Sequence, residues 1–213
     1  MGSEPRRRPR HPAALPPVSP KKKVKNIVKQ NTIIPGVVFC LLVAIGVVGR
    51  WGQPDWCFTP MAAVTLFAGY YFAHRLTALL VPLSVMAISD TLLPAYDRLG
   101  VMLAVYTILL MPVLLGGLLR RKMTFSRMAA SVTIPATAFW LVSNFAVWCF
   151  RDLYPHTAAG LVTCYAAAIP FFRSMLVGDL FYVTLIFGSC ALVTKGALAT
   201  SAAAVKRNPA IER

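Results

Sequence analysis

The hydrophobic positions of this chain fall into long runs, and polar punctuation divides them into six segments covering residues 33 to 49, 61 to 73, 76 to 90, 99 to 119, 128 to 150 and 174 to 194. Such runs predict helices that satisfy their own backbone while facing lipid, so the expected fold is all-α, a polytopic membrane protein with six transmembrane helices. The second and third segments are short. At ~1.5 Å per residue each reaches ~22 Å and under-fills a hydrocarbon core of ~30 Å, and short spans need protein neighbours. Only His74 and Arg75 separate them, which predicts a helical hairpin unless the pair is one interrupted helix.

Between the fifth and sixth spans, residues 151 to 173 are too long for a turn and too apolar for a free loop. Tyr154-Pro155-His156-Thr157 reads as a turn and helix start, and residues 158 to 169 can wind several turns before Pro170 stops them. A helix of that length cannot span, so a short re-entrant or interfacial helix is predicted there. Residues 1 to 32 are Pro-rich and basic and are expected to be a disordered cytoplasmic tail; residues 33 to 195 form the transmembrane domain, and 196 to 213 a short basic tail. The first run follows a long tail and has no Ala-x-Ala after it, so it reads as a retained anchor and not as a signal peptide. Pro20-Lys21-Lys22-Lys23-Val24-Lys25 resembles a nuclear import signal, but lysines just ahead of a span are commonly topology determinants held by anionic lipid.

Composition strengthens this picture. The chain is 57% hydrophobic and only 14% charged, which argues against a water-soluble globule. A net charge of +15 would suggest nucleic acid for a soluble protein; beside so apolar a body it points to lipid headgroups, and no nucleic-acid partner is expected. With both termini cytoplasmic, Arg50, Arg98, Arg151 and Arg173 lie outside, and the other 18 of the 22 Lys and Arg lie inside. That asymmetry fits the positive-inside rule for a multi-pass protein of a bacterial inner membrane. Cys40, Cys57, Cys149, Cys164 and Cys190 are dispersed with no C-x-x-C pair, which argues against disulfides and zinc; no metal or cofactor is expected.

The same topology sorts the acids. Asp55, Asp97 and Asp152 fall in outer loops, while Asp90 and Asp179 fall inside apolar runs near the outer ends of spans three and six. An ionised Asp facing lipid costs roughly 2.5–3.5 kcal/mol, so both are expected to face the bundle or a wet cavity. Asp179 has a second reading, as a carboxylate that snorkels or caps at the interface. Trp140, Asn144 and Trp148 share one face of span five, either as a ligand-facing stripe or as interhelical glue flanked by interface anchors. Trp51, Trp56, Phe58, Tyr154, His156, Tyr165, Phe171 and Phe172 add aromatic content on the outer side, much of which an aromatic belt would explain. The sequence has no phosphate-binding loop, no His-Glu-x-x-His, no Gly-x-Ser-x-Gly and no carboxylates paired at helical spacing. No catalytic residue and no enzymatic activity is therefore expected, and movement of a solute would need a partner subunit or an ion gradient.

Several blocks carry a resemblance: Phe58-Thr59-Pro60, Leu66-Phe67-Ala68-Gly69, Ser89-Asp90, Ser143-Asn144-Phe145-Ala146-Val147-Trp148, Tyr154-Pro155-His156-Thr157, Ile169-Pro170-Phe171-Phe172 and Gly178-Asp179-Leu180-Phe181. Over residues 54 to 188 they resemble the signature blocks of a small bacterial integral-membrane family of unknown function grouped with transport proteins. In span count and loop layout the chain is similar, more remotely, to the substrate-binding S components of energy-coupling-factor transporters, whose outer loops build the ligand pocket. The resemblance implies capture of a small solute from the outer face and an energising transporter subunit as partner. The expected substrate-binding residues are Asp90, Asn144, Trp148, Tyr154, His156 and Asp179. The rival reading is a non-transporting membrane scaffold, or an embedded enzyme acting on a lipid or quinone.

Overall fold

The computed structural model describes residues 20–52, 57–94 and 96–207, with side chains described between 34 and 196. The arginine cluster at Arg6 to Arg10, and Asp55 and Trp56 between the first two apolar runs, lie outside the described residues. Among the described residues the regular elements are helices: α1 (Pro20–Gly52), α2 (Met61–Tyr71), α3 (Arg75–Ser89), α4 (Leu99–Leu109), α5 (Met111–Leu119), α6 (Phe125–Phe150), α7 (Ala158–Ala167) and α8 (Ile169–Arg207). The fold is all-α. Four stretches are long and apolar enough to cross a membrane, Ile34–Gly52, Leu99–Leu119, Phe125–Phe150 and Ile169–Gly196, which makes this a multi-pass integral membrane protein. Their outward faces carry Leu41, Leu103, Leu141, Leu185 and Leu192, all exposed and suited to acyl chains.

The chain divides into two compact units, Met1–Gly36 and Val37–Arg213, just after the helix-interior Pro35. In the first unit the described part is helical from Pro20, so residues 20 to 32, expected without structure, continue α1. Proline is tolerated in the first helical turn, and once an apolar segment has nucleated a helix, each further Lys, Gln or Val needs only the easier propagation step. At the other end α8 extends to Arg207, past the expected end of the last span.

In the second unit α2 is central. Met61, Ala63, Val64, Thr65, Leu66, Phe67, Ala68 and Gly69 are all buried, as befits a helix that is apolar all round. At 11 residues it measures about 16 Å, too short to cross a bilayer alone, and its neighbours α3, α5 and α8 cover it. The α2–α5 contact is backbone to backbone: a Cβ at Gly69 would lie 2.0 Å from the Val113 carbonyl oxygen, and one at Gly116 would lie 2.1 Å from that of Leu66. Only glycine permits that approach, the small-residue packing membrane helices use in place of a hydrophobic driving force.

Two prolines set the remaining boundaries. Pro112 lacks an N–H and its ring crowds the carbonyl of Ile108, so the run 99 to 119 bends at Leu110, whose N–H turns to the Thr107 carbonyl at 3.2 Å. Pro170, expected to stop a helix, instead occupies the first turn of α8. The last helix consequently begins at Ile169, several residues before the anticipated 174. Side-chain caps open α6 and α7: Thr124 Oγ1 accepts from the Arg127 N–H at 3.4 Å, and Thr157 Oγ1 from the Gly160 N–H at 3.1 Å. At the end of α2, Arg120 donates from Nε to the Tyr70 carbonyl (2.9 Å) and from Nη2 to those of Gly69 (2.7 Å) and Phe72. Its guanidinium thus satisfies carbonyls that the helix end leaves without partners.

Candidate ligand cavity

A cavity of about 420 Å³ opens within the second unit, lined from nearly every helix: Ala62 of α2, Met86 of α3, Val105 of α4, Pro112 of α5, Phe139 of α6 and Met175 of α8. Asp90 and Asp179, the two acids that fall inside apolar runs of the sequence, both line it. The walls are otherwise chiefly apolar.

The two carboxylates differ in what they meet. Asp90 follows the last residue of α3, where the negative end of the helix dipole disfavours an anion. Two groups compensate: Arg50 Nη1 pairs with Asp90 Oδ1 at 2.7 Å, and the Tyr106 hydroxyl donates to Oδ2 at 2.6 Å. Arg50 also donates to Ser89 Oγ, and Trp51 Nε1 to the Ser89 carbonyl at 3.1 Å, so the end of α1 is tied to the end of α3. The Tyr96 ring stands edge-on to Tyr106 at 6.4 Å, and burial raises its phenol above the ordinary value, keeping it neutral.

Asp179 meets nothing comparable. It is 3% exposed, yet among the described residues its carboxylate has neither an ion pair nor a hydrogen bond. Because α8 begins at Ile169, Asp179 lies about 15 Å along the helix. The loop after α1 packs close by: the Phe58 ring lies against Phe181 at 5.9 Å and Tyr182 at 5.5 Å, two and three residues on from Asp179. Cys57 and Thr59, on either side of Phe58, line the cavity, and Cys57 takes a left-handed φ of 54°.

The remaining expected residues gather elsewhere. Asn144 donates from Nδ2 to the Trp140 carbonyl of its own helix at 2.8 Å, and Trp148 from Nε1 to the Pro155 carbonyl at 3.0 Å. His156 stands edge-on to Trp148 at 5.5 Å, in the turn that also holds Tyr154. Trp148 and Tyr165, whose hydroxyl donates to the Leu141 carbonyl at 2.7 Å, fasten α7 and the turn before it onto the second half of α6. Asn144, Trp148, Tyr154 and His156 do not line the cavity. An amide that has its acceptor inside its own helix presents less to a ligand than the spacing of the stripe implied.

Sequence reasoning missed Arg50, Tyr106 and Phe139. Arg50 was legible in principle: an acid at the end of one apolar run needs a counter-charge, and the positive-inside count had already put Arg50 on the same side. A second pairing was equally legible. Asp97-Arg98 and Arg151-Asp152 are complementary dipeptides, and they cross-pair, Arg151 with Asp97 at 2.8 Å and Arg98 with Asp152 at 3.0 Å. Among the described residues no group of three or more His, Cys, Asp or Glu is placed to hold a metal ion.

Residues 29–203 match the model of a family of unknown function, DUF6580, and the chain belongs to that family. No curated protein and no solved structure matches it.

Proposed function

We propose that this protein captures a small solute in the cavity between Asp179 and the Arg50–Asp90–Tyr106 cluster, as the binding component of a transport system. The observation that carries the reading is Asp179, a buried residue that lines the cavity and whose carboxylate, among the described residues, has no hydrogen bond or ion pair with the protein. A buried polar group with no partner costs about 1–3 kcal/mol, and a scaffold gains nothing by tolerating it. A binding site does, because the ligand supplies the missing partner. The function is binding, not catalysis, with transport energised by a partner subunit or an ion gradient.

In this reading six segments cross the membrane, α1, α2, α3, the α4–α5 run, α6 and α8, with α7 as the re-entrant or interfacial piece. Both termini are cytoplasmic, in a bacterial inner membrane. Support comes from the count of cations, since 18 of the 22 Lys and Arg then fall on the inner side and four on the outer. The α2–α3 pair then crosses only as part of the bundle, consistent with the burial of α2.

The test uses Cys57, which lines the cavity and is exposed. With the other four cysteines replaced by alanine, the protein in membranes is treated with a thiol reagent in the presence of graded solute mixtures. Capture predicts that some mixture slows Cys57 labelling, that Asp179→Asn weakens the protection, and that Asn144→Ala leaves it intact. Labelling that no mixture alters, or protection indifferent to Asp179, would favour the scaffold.

A further inference from the structure

The geometry points to a ligand class: a small organic monocation, an amine with an apolar body, whose ammonium sits on Asp179. The inference rests on the capture reading above and adds the chemistry of the captured molecule.

Three observations converge on it. The first is charge. Arg50 is engaged by Asp90 at 2.7 Å and by Ser89, so the one guanidinium lining the cavity is not free to receive an anion; an anionic ligand would have to break that pair. Asp90 is likewise taken, one oxygen by Arg50 and the other by Tyr106. The unmet demand that remains is a single carboxylate, on Asp179, and it calls for one positive charge carrying N–H donors. An ammonium supplies both the counter-charge and the N–H donors, whereas a dication would bring more charge than one carboxylate can meet.

The second observation is the wall. Met61, Met86 and Met175 come from three different helices, α2, α3 and α8, and Phe139 from a fourth, α6. Thioether side chains adapt to irregular apolar shapes, and aromatic faces attract cations, so these surfaces suit a hydrocarbon or aromatic body attached to an ammonium better than a sugar or phosphate rich in hydroxyls and charge. The third is size. A volume of about 420 Å³ equals that of roughly fourteen water molecules, enough for a compact solute and too little for a lipid with two acyl chains.

The test is a matched set of probes of nearly constant shape: 2-phenylethylamine, 2-phenylethanol and 3-phenylpropionate, applied to purified protein in nanodiscs. Binding is read by protection of Cys57 in the single-cysteine protein and by shift of the unfolding temperature. The expected result is that the amine protects and stabilises, that the alcohol and the acid do so at least about tenfold more weakly, and that Asp179→Asn removes the amine's advantage while Asn144→Ala keeps it. If the alcohol or the acid binds as well as the amine, or if Asp179→Asn binds the amine undiminished, the ligand class is wrong while capture stands. If none of the three protects Cys57 or shifts the transition in wild type, the amine class is overturned, and a parallel failure of graded solute mixtures to alter Cys57 labelling would overturn capture with it.

Discussion

Removing the Asp179 side chain should make the unliganded protein more stable. The perturbation is Asp179→Leu, which keeps a side chain of comparable reach but no polar atom, together with Asp179→Asn, which keeps the shape and removes the charge. In the wild type Asp179 is 3% exposed, and its carboxylate has no hydrogen bond or ion pair among the described residues. Unmet polar groups in such surroundings cost about 1–3 kcal/mol, and replacing buried charge by apolar groups is often stabilising by about as much. The adjoining cavity can absorb the extra volume of leucine, so overpacking does not offset the gain. For a chain of this length about 1 kcal/mol moves the unfolding midpoint by about 2–4 °C, so the leucine variant should melt higher by about 2–12 °C, and the asparagine variant by less, since its amide still lacks partners. The assay is thermal unfolding of purified protein in nanodiscs without added solute. A drop in midpoint for both variants would mean that Asp179 holds the bundle together, and the argument from an unmet carboxylate to a ligand site would fail.

Other substitutions probe the frame around the cavity. Gly69→Ala and Gly116→Ala each drive a methyl into a facing backbone carbonyl and should cost about 1–3 kcal/mol in thermal unfolding, whereas Gly117→Ala, with nothing within 4 Å of its Cβ, should be near neutral. Arg50→Ala should cost about 2–3 kcal/mol by leaving Asp90 unpaired at a helix C-terminus, and adding Asp90→Asn should recover much of the loss; additive costs in the double-mutant cycle would show that the pair is not coupled. Asp152→Ala removes one of the two crossed Asp–Arg pairs, and because Asp152 is 82% exposed the midpoint should fall by the equivalent of less than about 1 kcal/mol, with the deficit shrinking at high salt.

The parts of the fold that could be read from the chain are those whose physics is local. The 99-to-119 run was placed at its observed bounds because a long apolar segment flanked by Arg98 and Arg120 leaves a helix few alternatives, and Pro112 shows why it nevertheless bends. The ends of α1 and α8 were drawn short because the hydrophobic pattern marks where lipid contact stops, while a helix continues until a residue breaks it; Lys21 to Lys29 and the alanine-rich 197 to 204 do not. That difference matters for the site, since starting α8 at Ile169 puts nearly three turns of helix ahead of Asp179. The convergence of Asp90 and Asp179 on one hollow followed from their cost in lipid. Their division into a satisfied and an unsatisfied carboxylate did not, because it depends on Arg50 and Tyr106 arriving from other helices. Asn144 and Trp148 misled for the opposite reason: their shared face is real, but the partners on it are the Trp140 carbonyl and the turn before α7.

The most direct measurement is a density map of the protein in nanodiscs saturated with 2-phenylethylamine. The account predicts density inside the cavity bounded by Met61, Met86, Phe139 and Met175, with the amine nitrogen about 3 Å from the Asp179 carboxylate and Arg50 still on Asp90. An Asp179 carboxylate held by a donor of the protein itself, with the hollow collapsed or filled by an acyl chain, would contradict it.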